Sequence, residues 1–261
     1  MGSGMTGYAT YPSLRDTVVL ISGGASGLGA EYVAQFAAQG SRVGFVDIQT
    51  QAADALVEHV TAHGHPRPLF RECDIRDLDA YRAVIREIAA ELGDVQVLVN
   101  NAGNDTRHAV TEVEPAYWDE RMRVNLDHMF FAAQAVAPAM RTAGRGSIIN
   151  IGSISAHIDL LDLTAYMTAK AAIEGLTRSL AREFGADGVR VNCVLPGSVM
   201  TPRQRETWLT PEADAHRAAA QAVPHVLHPD DIARMVLWLA ADDSRACTGQ
   251  RWIVDGGWMH M

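Results

Sequence analysis

Three side chains between Ser153 and Lys170 have the types and spacing to move a proton. Tyr166 and Lys170 stand four residues apart in an alanine-rich run, so on a helix they share one face, a turn apart. A nearby ammonium lowers the pKa of a tyrosine, which makes Tyr166 a candidate general base. Ser153 follows the apolar run 147–151, which is typical of a buried strand, and we expect its hydroxyl to face the tyrosine. A Tyr-x-x-x-Lys pair alone is also typical of a half-buried ring beside a lysine, so the site needs a second signal.

A glycine-rich turn near the N-terminus supplies that signal. The apolar run 17–21 leads directly into Gly23, Gly27 and Gly29, and a helical pattern follows. Glycines let a pyrophosphate approach the backbone, and the first turn of the helix offers unpaired N–H groups to the anion. The turn therefore predicts a dinucleotide site.

Carboxylates end the next two predicted strands. Strand 42–46 leads into Asp47, which can accept both ribose hydroxyls of adenosine and would repel a 2′-phosphate. Ser26 brings no positive charge to the glycine turn, so we expect NAD rather than NADP. Strand 69–74 ends in Asp74, which could hold the adenine amine or cap the following element; the sequence favours neither.

The alternation of apolar runs and helical patterns predicts the fold class. Strands are expected at 17–21, 42–46, 69–74, 95–100, 147–151, 189–194 and 250–254, with helices at 78–92, 114–141, 166–184 and 230–240 among the connections. This order is typical of an α/β Rossmann fold, a doubly wound parallel sheet of about seven strands with helices on both faces. We predict a single domain over 12–261, preceded by a disordered or tag-like segment over 1–11.

Composition limits the class of ligand. With 261 residues and 48% hydrophobic content, the chain can bury a large core. A formal charge of −9 argues against nucleic acid and anionic membranes, and no apolar run is long enough to span a bilayer. The three cysteines, Cys73, Cys193 and Cys247, are isolated in sequence, so we predict buried thiols, no metal site and a reducing cytoplasm.

Three further motifs have two interpretations each. The stretch 100–103, Asn-Asn-Ala-Gly, either lies beside the adenosine ribose or forms a plain turn, and the other motifs favour the ligand. Asn125, within an apolar helix, must bond either a neighbouring backbone or a water near the lysine. Pro196 and Gly197 break the sixth strand so that backbone can turn over a flat ring, and Thr201 could bond a carboxamide.

Together these motifs resemble the short-chain dehydrogenase/reductase superfamily in its NAD-preferring form, over all but the first eleven residues. Ser22 stands where that family usually has threonine, and it keeps the hydroxyl. The resemblance implies that Tyr166 is the catalytic acid or base, that Lys170 bonds the nicotinamide ribose, and that Ser153 holds the substrate oxygen. It implies that Asn125 fixes a water in a proton relay, and that four copies assemble through the two long helices. The cofactor positions are Gly23, Ser26, Gly27, Leu28, Gly29, Asp47, Ile48, Asp74, Ile75, Asn101, Ala102, Gly103, Tyr166, Lys170, Pro196, Gly197, Val199 and Thr201.

Several segments resemble the bacterial NAD-dependent aldose 1-dehydrogenases, notably the D-xylose branch: 101–108, 117–122, 131–138, 152–155 and 201–204. That branch often has a tryptophan in the place of Ala156, and the exchange would enlarge the pocket. Polar residues in the surrounding loops suit a polyhydroxylated ligand, although each could be a solvated loop residue. The substrate candidates are Asn104, Asp105, Ser153, Ser155, His157, Tyr166, Arg203 and Gln204. Residues 203–225 have the weakest pattern and predict a mobile lid or a plain surface helix.

The expected reaction is NAD-dependent oxidation of an aldose C1 hydroxyl to the aldonolactone, with a homotetramer as the expected assembly. Oxidation of a polyol or another secondary alcohol, or reduction of a 3-oxoacyl thioester, would use the same machinery. A non-catalytic dinucleotide sensor would require a broken catalytic set, and all four members are present.

Overall fold

Seven parallel strands form one sheet in the computed structural model, which describes residues 7–208 and 210–259. The strands are β1 (Val18–Ser22), β2 (Arg42–Asp47), β3 (Leu69–Glu72), β4 (Val97–Asn100), β5 (Gly146–Ile151), β6 (Val189–Pro196) and β7 (Arg251–Val254). Their order is β3-β2-β1-β4-β5-β6-β7, so the chain crosses from one edge back to the centre between β3 and β4. This is the predicted doubly wound sheet, and ligands of such sheets bind where the strand order reverses.

Helices cover both faces of the sheet. They are α1 (Gly27–Ala38), α2 (Thr50–Ala62), α3 (Leu78–Leu92), α4 (Pro115–Met122), α5 (His128–Ala143), α6 (Thr164–Phe184), α7 (Pro202–Thr207), α8 (Pro211–Ala220) and α9 (Pro229–Ala240). Successive side chains of a strand point to opposite faces. In β1, Val19 and Ile21 therefore join the core under α1, α2 and α9, whereas Val18 and Leu20 join the core under α3, α5 and α6.

The helix predicted over 114–141 is interrupted. A π-helical turn, Arg123–Asp127, separates α4 from α5 and contains Asn125. The Asn125 side chain donates to the Arg121 carbonyl oxygen at 3.0 Å, so it competes for a backbone acceptor within the helix. Single π turns often occur at functional sites.

Two segments at the margins of the domain have defined contacts. The segment 1–11 was predicted to be disordered, and its residues 1–6 lie outside the described residues. Tyr8, in the described part of this segment, donates a hydrogen bond from its hydroxyl to Glu31 at 3.1 Å, and the Arg234 guanidinium lies over its ring. The predicted lid, 203–225, contains most of α7 and all of α8. No described helix is long and apolar enough to cross a membrane.

Candidate active site

The glycine turn after β1 packs directly on the chain that follows β4. Gly23 has φ of +67°, and a Cβ there would lie 2.9 Å from the Ala102 Cα; a Cβ on Gly29 would lie 1.8 Å from the Gly23 carbonyl oxygen. No side chain fits either position, so these two glycines let the turn fold tightly on itself and on the chain after β4. The Ser22 hydroxyl accepts from the backbone N–H of Asn101 at 3.0 Å and of Ala102 at 3.2 Å. The hydroxyl at position 22 therefore joins the two halves of the predicted cofactor site.

Asp47 is buried beneath the glycine turn. Its carboxylate accepts from the backbone N–H of Ala25 and of Gln49, both at 2.9 Å. The Gln49 side chain reaches Ser26 at 3.1 Å, so the acid, the turn and the end of β2 form one unit. Ile48 beside them is 62% exposed, which leaves an apolar surface for a flat ring.

Asp74 does not cap α3. That role belongs to Asp77, whose carboxylate accepts from the backbone N–H of Ala80 at 3.0 Å. The Asp74 carboxylate instead bonds the backbone N–H and guanidinium of Arg76, and these bonds hold the pKa of Asp74 below its usual value. Arg76 also pairs with Glu120 at 2.9 Å. The adenine contact of Asp74 stays a prediction.

The predicted proton-transfer residues meet at the carboxyl end of β5. Tyr166 and Lys170 occupy the first two turns of α6 and share a face, with the ammonium 5.4 Å from the centre of the phenol ring. Lys170 is only 2% exposed, and its ammonium donates to the Ile151 carbonyl at 2.8 Å. Ser153 faces the phenol, as expected from its place after the strand, and its hydroxyl acts to lower the pKa of Tyr166.

Burial, rather than Lys170, dominates the ionisation of Tyr166. Burial raises the pKa of Tyr166 above its usual value and the Asp105 carboxylate raises it further, while only the Ser153 hydrogen bond lowers it. We expected Lys170 to lower the pKa of Tyr166, but in the structure this pKa is raised. The Lys170 ammonium instead donates its hydrogen bond to the main chain. Burial also lowers the pKa of Lys170 to about 8. A low-dielectric site disfavours both charged forms.

Asn125 holds the loop that follows β4. It is fully buried, and its side-chain oxygen accepts from the Asn104 N–H at 2.8 Å while its amide donates to the Asn104 carbonyl at 3.1 Å. The structure therefore shows the first of its two interpretations, a bond to neighbouring backbone, and the water relay stays a prediction. A Cβ on Gly103 would lie 3.2 Å from Asn125 Oδ1 and 3.4 Å from Lys170 Nζ, so this glycine brings the loop close to Lys170.

The segment after β6 closes the site from the other side. A Cβ on Gly197 would lie 2.7 Å from the Asp255 Cα, so only glycine lets these two segments of the chain lie so close together. Thr201 lies next to the glycine turn, with its methyl 3.5 Å from a Cβ built on Gly27. Its hydroxyl accepts from the Gln204 N–H at 3.2 Å and so caps α7.

Three of the predicted substrate residues form a cluster across the pocket. The Asp105 carboxylate accepts from Arg203 Nε at 3.0 Å and from Gln204 Nε2 at 2.9 Å, which joins the loop after β4 to α7. His157 is placed differently, because its ring bonds Glu174 of α6 at 2.5 Å. Ser155 is buried, and its hydroxyl has no partner among the residues that the structure describes.

The sequence analysis did not predict that α4 supports the loop 104–108, called the substrate loop because it carries the predicted substrate residues Asn104 and Asp105. Arg121 donates to the Asn104 side chain at 3.0 Å, and Tyr117 one turn earlier contacts the His108 ring at 3.2 Å. The other ring nitrogen of His108 accepts from the Ala165 N–H at 3.4 Å, next to Tyr166 in sequence. The four-residue spacing of Tyr117 and Arg121 was the available signal.

One spacing typical of metal ligands, His-x-x-x-His, is present in the sequence although none was expected. His59 and His63 are four residues apart at the end of α2, with ring centres 4.3 Å apart, and such pairs can ligate a metal. His63 Nδ1 bonds the His59 carbonyl at 2.7 Å. Within 7–208 and 210–259, no group of three or more potential ligands forms a metal site.

Sequence comparisons extend over almost the whole chain. The family model described as enoyl-(acyl carrier protein) reductase matches residues 23–259. The chain is 51% identical over 250 residues to a D-xylose 1-dehydrogenase of Caulobacter vibrioides, covering 96% of this chain and 98% of that protein. It is 48% identical over 247 residues to "Probable galactose dehydrogenase GalD" of Rhizobium meliloti, covering 95% and 96%.

Solved structures share the fold at lower identity. A 3-oxoacyl-[acyl-carrier protein] reductase with bound NAD, from Brucella melitensis, has a TM-score of 0.87 at 30% identity and covers 96% of this chain and 94% of that chain. A 7α-hydroxysteroid dehydrogenase complexed with NADH has a TM-score of 0.89 at 29% identity, covering 94% and 96%. A nicotinamide dinucleotide of this kind fits the glycine turn at Gly27, where α1 begins and a built Cβ would meet no atom closer than 3.5 Å.

Proposed function

The chain belongs to the short-chain dehydrogenase/reductase family, and from this we propose that it oxidises the C1 hydroxyl of an aldose with NAD. The observation that carries the choice of substrate is the polar cluster beside the catalytic tyrosine. Asp105, Arg203 and Gln204 join there, and the negative charge of Asp105 helps to raise the pKa of Tyr166. Such groups can exchange hydrogen bonds with the hydroxyls of a sugar, whereas an apolar ligand offers them no partner.

The relatives support a sugar. The two proteins at 51% and 48% identity are named for D-xylose and galactose, and each is matched along nearly its whole length. These two sugars differ in size, which makes a pentose and a hexose the first compounds to compare. The shared feature is the anomeric hydroxyl on C1.

In the proposed mechanism the Ser153 hydroxyl and Tyr166 hold the anomeric oxygen, and the Tyr166 phenolate takes its proton. The C1–H bond breaks as the carbonyl of the lactone forms. Bound NAD supplies the hydride acceptor. Overall, aldose and NAD⁺ give aldonolactone, NADH and one proton. Lys170 holds the main chain at Ile151, at the end of the strand that leads to Ser153, and its ammonium lies over the phenol ring, close to the charge that forms on Tyr166.

The preference for NAD over NADP rests on Asp47. Its buried carboxylate is fixed by two backbone N–H groups at the end of β2, where the adenosine ribose of a dinucleotide binds in this fold. A 2′-phosphate placed there would meet a negative charge that cannot turn away. Gln49 and Ser26 add no positive charge to offset it.

A 3-oxoacyl reductase is the second candidate, because one solved relative is a 3-oxoacyl-[acyl-carrier protein] reductase. That activity would require a site for a phosphopantetheine arm. The formal charge of −9 and the position of Asp47 favour the sugar reading over a reductase that uses NADPH.

The test is NADH formation across D- and L-pentoses, hexoses, 6-deoxyhexoses and the matching polyols, with NAD and NADP in parallel at mildly alkaline pH. We expect turnover of one or a few aldoses with NAD and little with NADP. Activity on polyols alone, or on a 3-oxoacyl thioester alone, would replace the aldose assignment with the corresponding alternative.

A further inference from the structure

Arg121 carries a buried positive charge next to the loop that follows β4. It is the last but one residue of α4, and only 8% of its surface is exposed. One side of its guanidinium pairs with Glu120 through Nε and Nη2, and Nη1 donates to the Asn104 side-chain oxygen at 3.0 Å. Burying a guanidinium is unfavourable unless its hydrogen bonds are well used, and one of these bonds points into the substrate loop.

The Asn104 side-chain oxygen is fully occupied. Besides Arg121, it accepts from the Thr106 N–H at 2.9 Å and from the Thr106 hydroxyl at 2.6 Å. The main chain of Asn104 is held at both its N–H and its carbonyl by Asn125. The oxygen and nitrogen of a side-chain amide have nearly the same shape, so the surrounding groups decide its orientation. Here three donors surround one end of the amide, and that end is therefore the oxygen.

This arrangement leaves the amide nitrogen of Asn104 as the end available to a ligand. Among the residues described, 7–208 and 210–259, Asn104 Nδ2 has no hydrogen-bond partner. Asn104 lies between Gly103, which approaches the Lys170 ammonium, and Asp105, which bonds α7. The N–H₂ group is therefore carried by the loop segment that links the neighbourhood of Lys170 to α7.

We propose that Arg121 is a positioning residue that makes Asn104 a hydrogen-bond donor to the substrate. This donor can bond a ring oxygen or a hydroxyl oxygen of the substrate. It disfavours a substrate that presents an N–H donor at the same place. The proposal rests on the proposed function only for the identity of the substrate. The donor itself follows from the contacts of Asn104.

A second contact from α4 keeps the same loop in register. The Arg121 guanidinium lies 5.1 Å from the centre of the Tyr117 ring, and the Tyr117 hydroxyl contacts His108. His108 in turn accepts from the backbone of Ala165, at the start of the helix that carries the catalytic tyrosine. Two residues one turn apart on α4 thus hold the two ends of loop 104–108.

The test compares Arg121→Met with wild type on whichever compound the wild type oxidises best. Methionine keeps the helix propensity and much of the volume, and Glu120 keeps its pairing with Arg76 at 2.9 Å. We expect KM for that compound to rise about tenfold, as for the loss of one well-placed hydrogen bond, while kcat and NADH affinity stay at the wild-type level. Arg123→Met, an exposed arginine two residues further on, is the matched control and should leave all three unchanged.

Asn104→Asp tests the donor directly, and this test can be made even if the Arg121→Met variant does not fold. The aspartate keeps the contact with Arg121 and presents an oxygen acceptor in place of the N–H₂ donor, so KM should rise at least as much. Wild-type KM in both variants, or a parallel loss of NADH affinity in Arg121→Met, would overturn the proposal. Because the substrate is chosen from the wild-type panel, absence of aldose turnover refutes the proposed function and leaves this test intact.

Discussion

At the scale of single residues, Tyr166, the proposed base, lies in surroundings that oppose its ionisation. Burial and the Asp105 carboxylate both raise the pKa of Tyr166, and only Ser153 acts in the other direction. A base must lose its proton before it can act, so the phenolate fraction and the oxidation rate rise with pH, about tenfold per pH unit below the pKa. The reverse reaction, in which Tyr166 donates a proton, needs the neutral phenol, so its rate is constant below that pKa and falls only above it.

Tyr166→Phe should lower kcat by about 10²–10⁴-fold, because it removes the proton acceptor and leaves the ring in place. NADH should still bind, because the glycine turn and Asp47 do not involve the phenol. Steady-state rates and an NADH fluorescence titration measure the two effects. More than a few per cent of wild-type turnover would remove the role of base from Tyr166.

The sequence predicts single residues best where their relationship is local. Tyr166 and Lys170 share a face because they are four residues apart on one helix, and the structure places them so. Arg121 was missed because its partner Asn104 lies 17 residues away on another element. The pKa direction of Tyr166 was missed for a related reason, since burial depends on everything packed around the ring.

At the scale of elements, the turn between β1 and α1 depends on the absence of side chains. Gly29→Ala should abolish NADH binding, because the new Cβ would lie 1.8 Å from the Gly23 carbonyl and the turn would have to open. Gly175→Ala in α6 is the matched control, since a Cβ there meets open space. The control should bind NADH normally and raise the free energy of unfolding by about 0.5–1 kcal/mol, as alanine does within helices. Normal NADH binding by Gly29→Ala would contradict this account of the turn.

The contact between α7 and the substrate loop should govern access to the pocket. Arg203→Met removes the hydrogen bond to Asp105 and leaves that of Gln204, so we expect KM for the sugar to rise about 3- to 10-fold and hydrogen exchange in α7 to become faster. Arg205→Met, on the same helix, changes the same charge and should leave both quantities unchanged. Identical behaviour of the two variants would assign α7 to the surface alone.

Strands and helices were predictable because their apolar spacing is a local property of the sequence. The π turn around Asn125 was not, because it depends on the Arg121 carbonyl and on Asn104 from a different segment. For the same reason the sequence did not decide whether 203–225 forms a lid. The contacts of Arg203 and Gln204 with Asp105 connect elements about a hundred residues apart.

At the scale of the whole molecule, the sheet order brings the site together. β1 pairs with both β2 and β4, so the glycine turn, Asp47 and Asn101 meet at one edge of the sheet. Ser153 follows β5, and Gly197 follows β6, at the same carboxyl ends. Local patterns predicted each strand and the parallel class, whereas the order of neighbours arises from long-range pairing.

The surface formed by α5 and α6 is the expected site of assembly. An apolar groove of about 320 Å³ lies between these helices, lined in part by Phe130, Pro138, Leu180 and Phe184, and Phe130 is 40% exposed. We expect light scattering to give four times the chain mass, and Phe130→Asp to produce smaller species by placing charge in the apolar contact. A monomeric wild type at micromolar concentration would refute the tetramer.

The proposed reaction moves a hydride from C1 of an aldose to NAD, and isotope transfer follows that hydride. D-Xylose and D-galactose carrying deuterium at C1 would be incubated with NAD and the protein, and the products analysed by NMR and mass spectrometry. The account predicts deuterium in the NADH and an equal amount of unlabelled aldonolactone or its hydrolysis product, the aldonate. NADH formed from these sugars without deuterium would show that hydride leaves another carbon, and would contradict the proposed reaction.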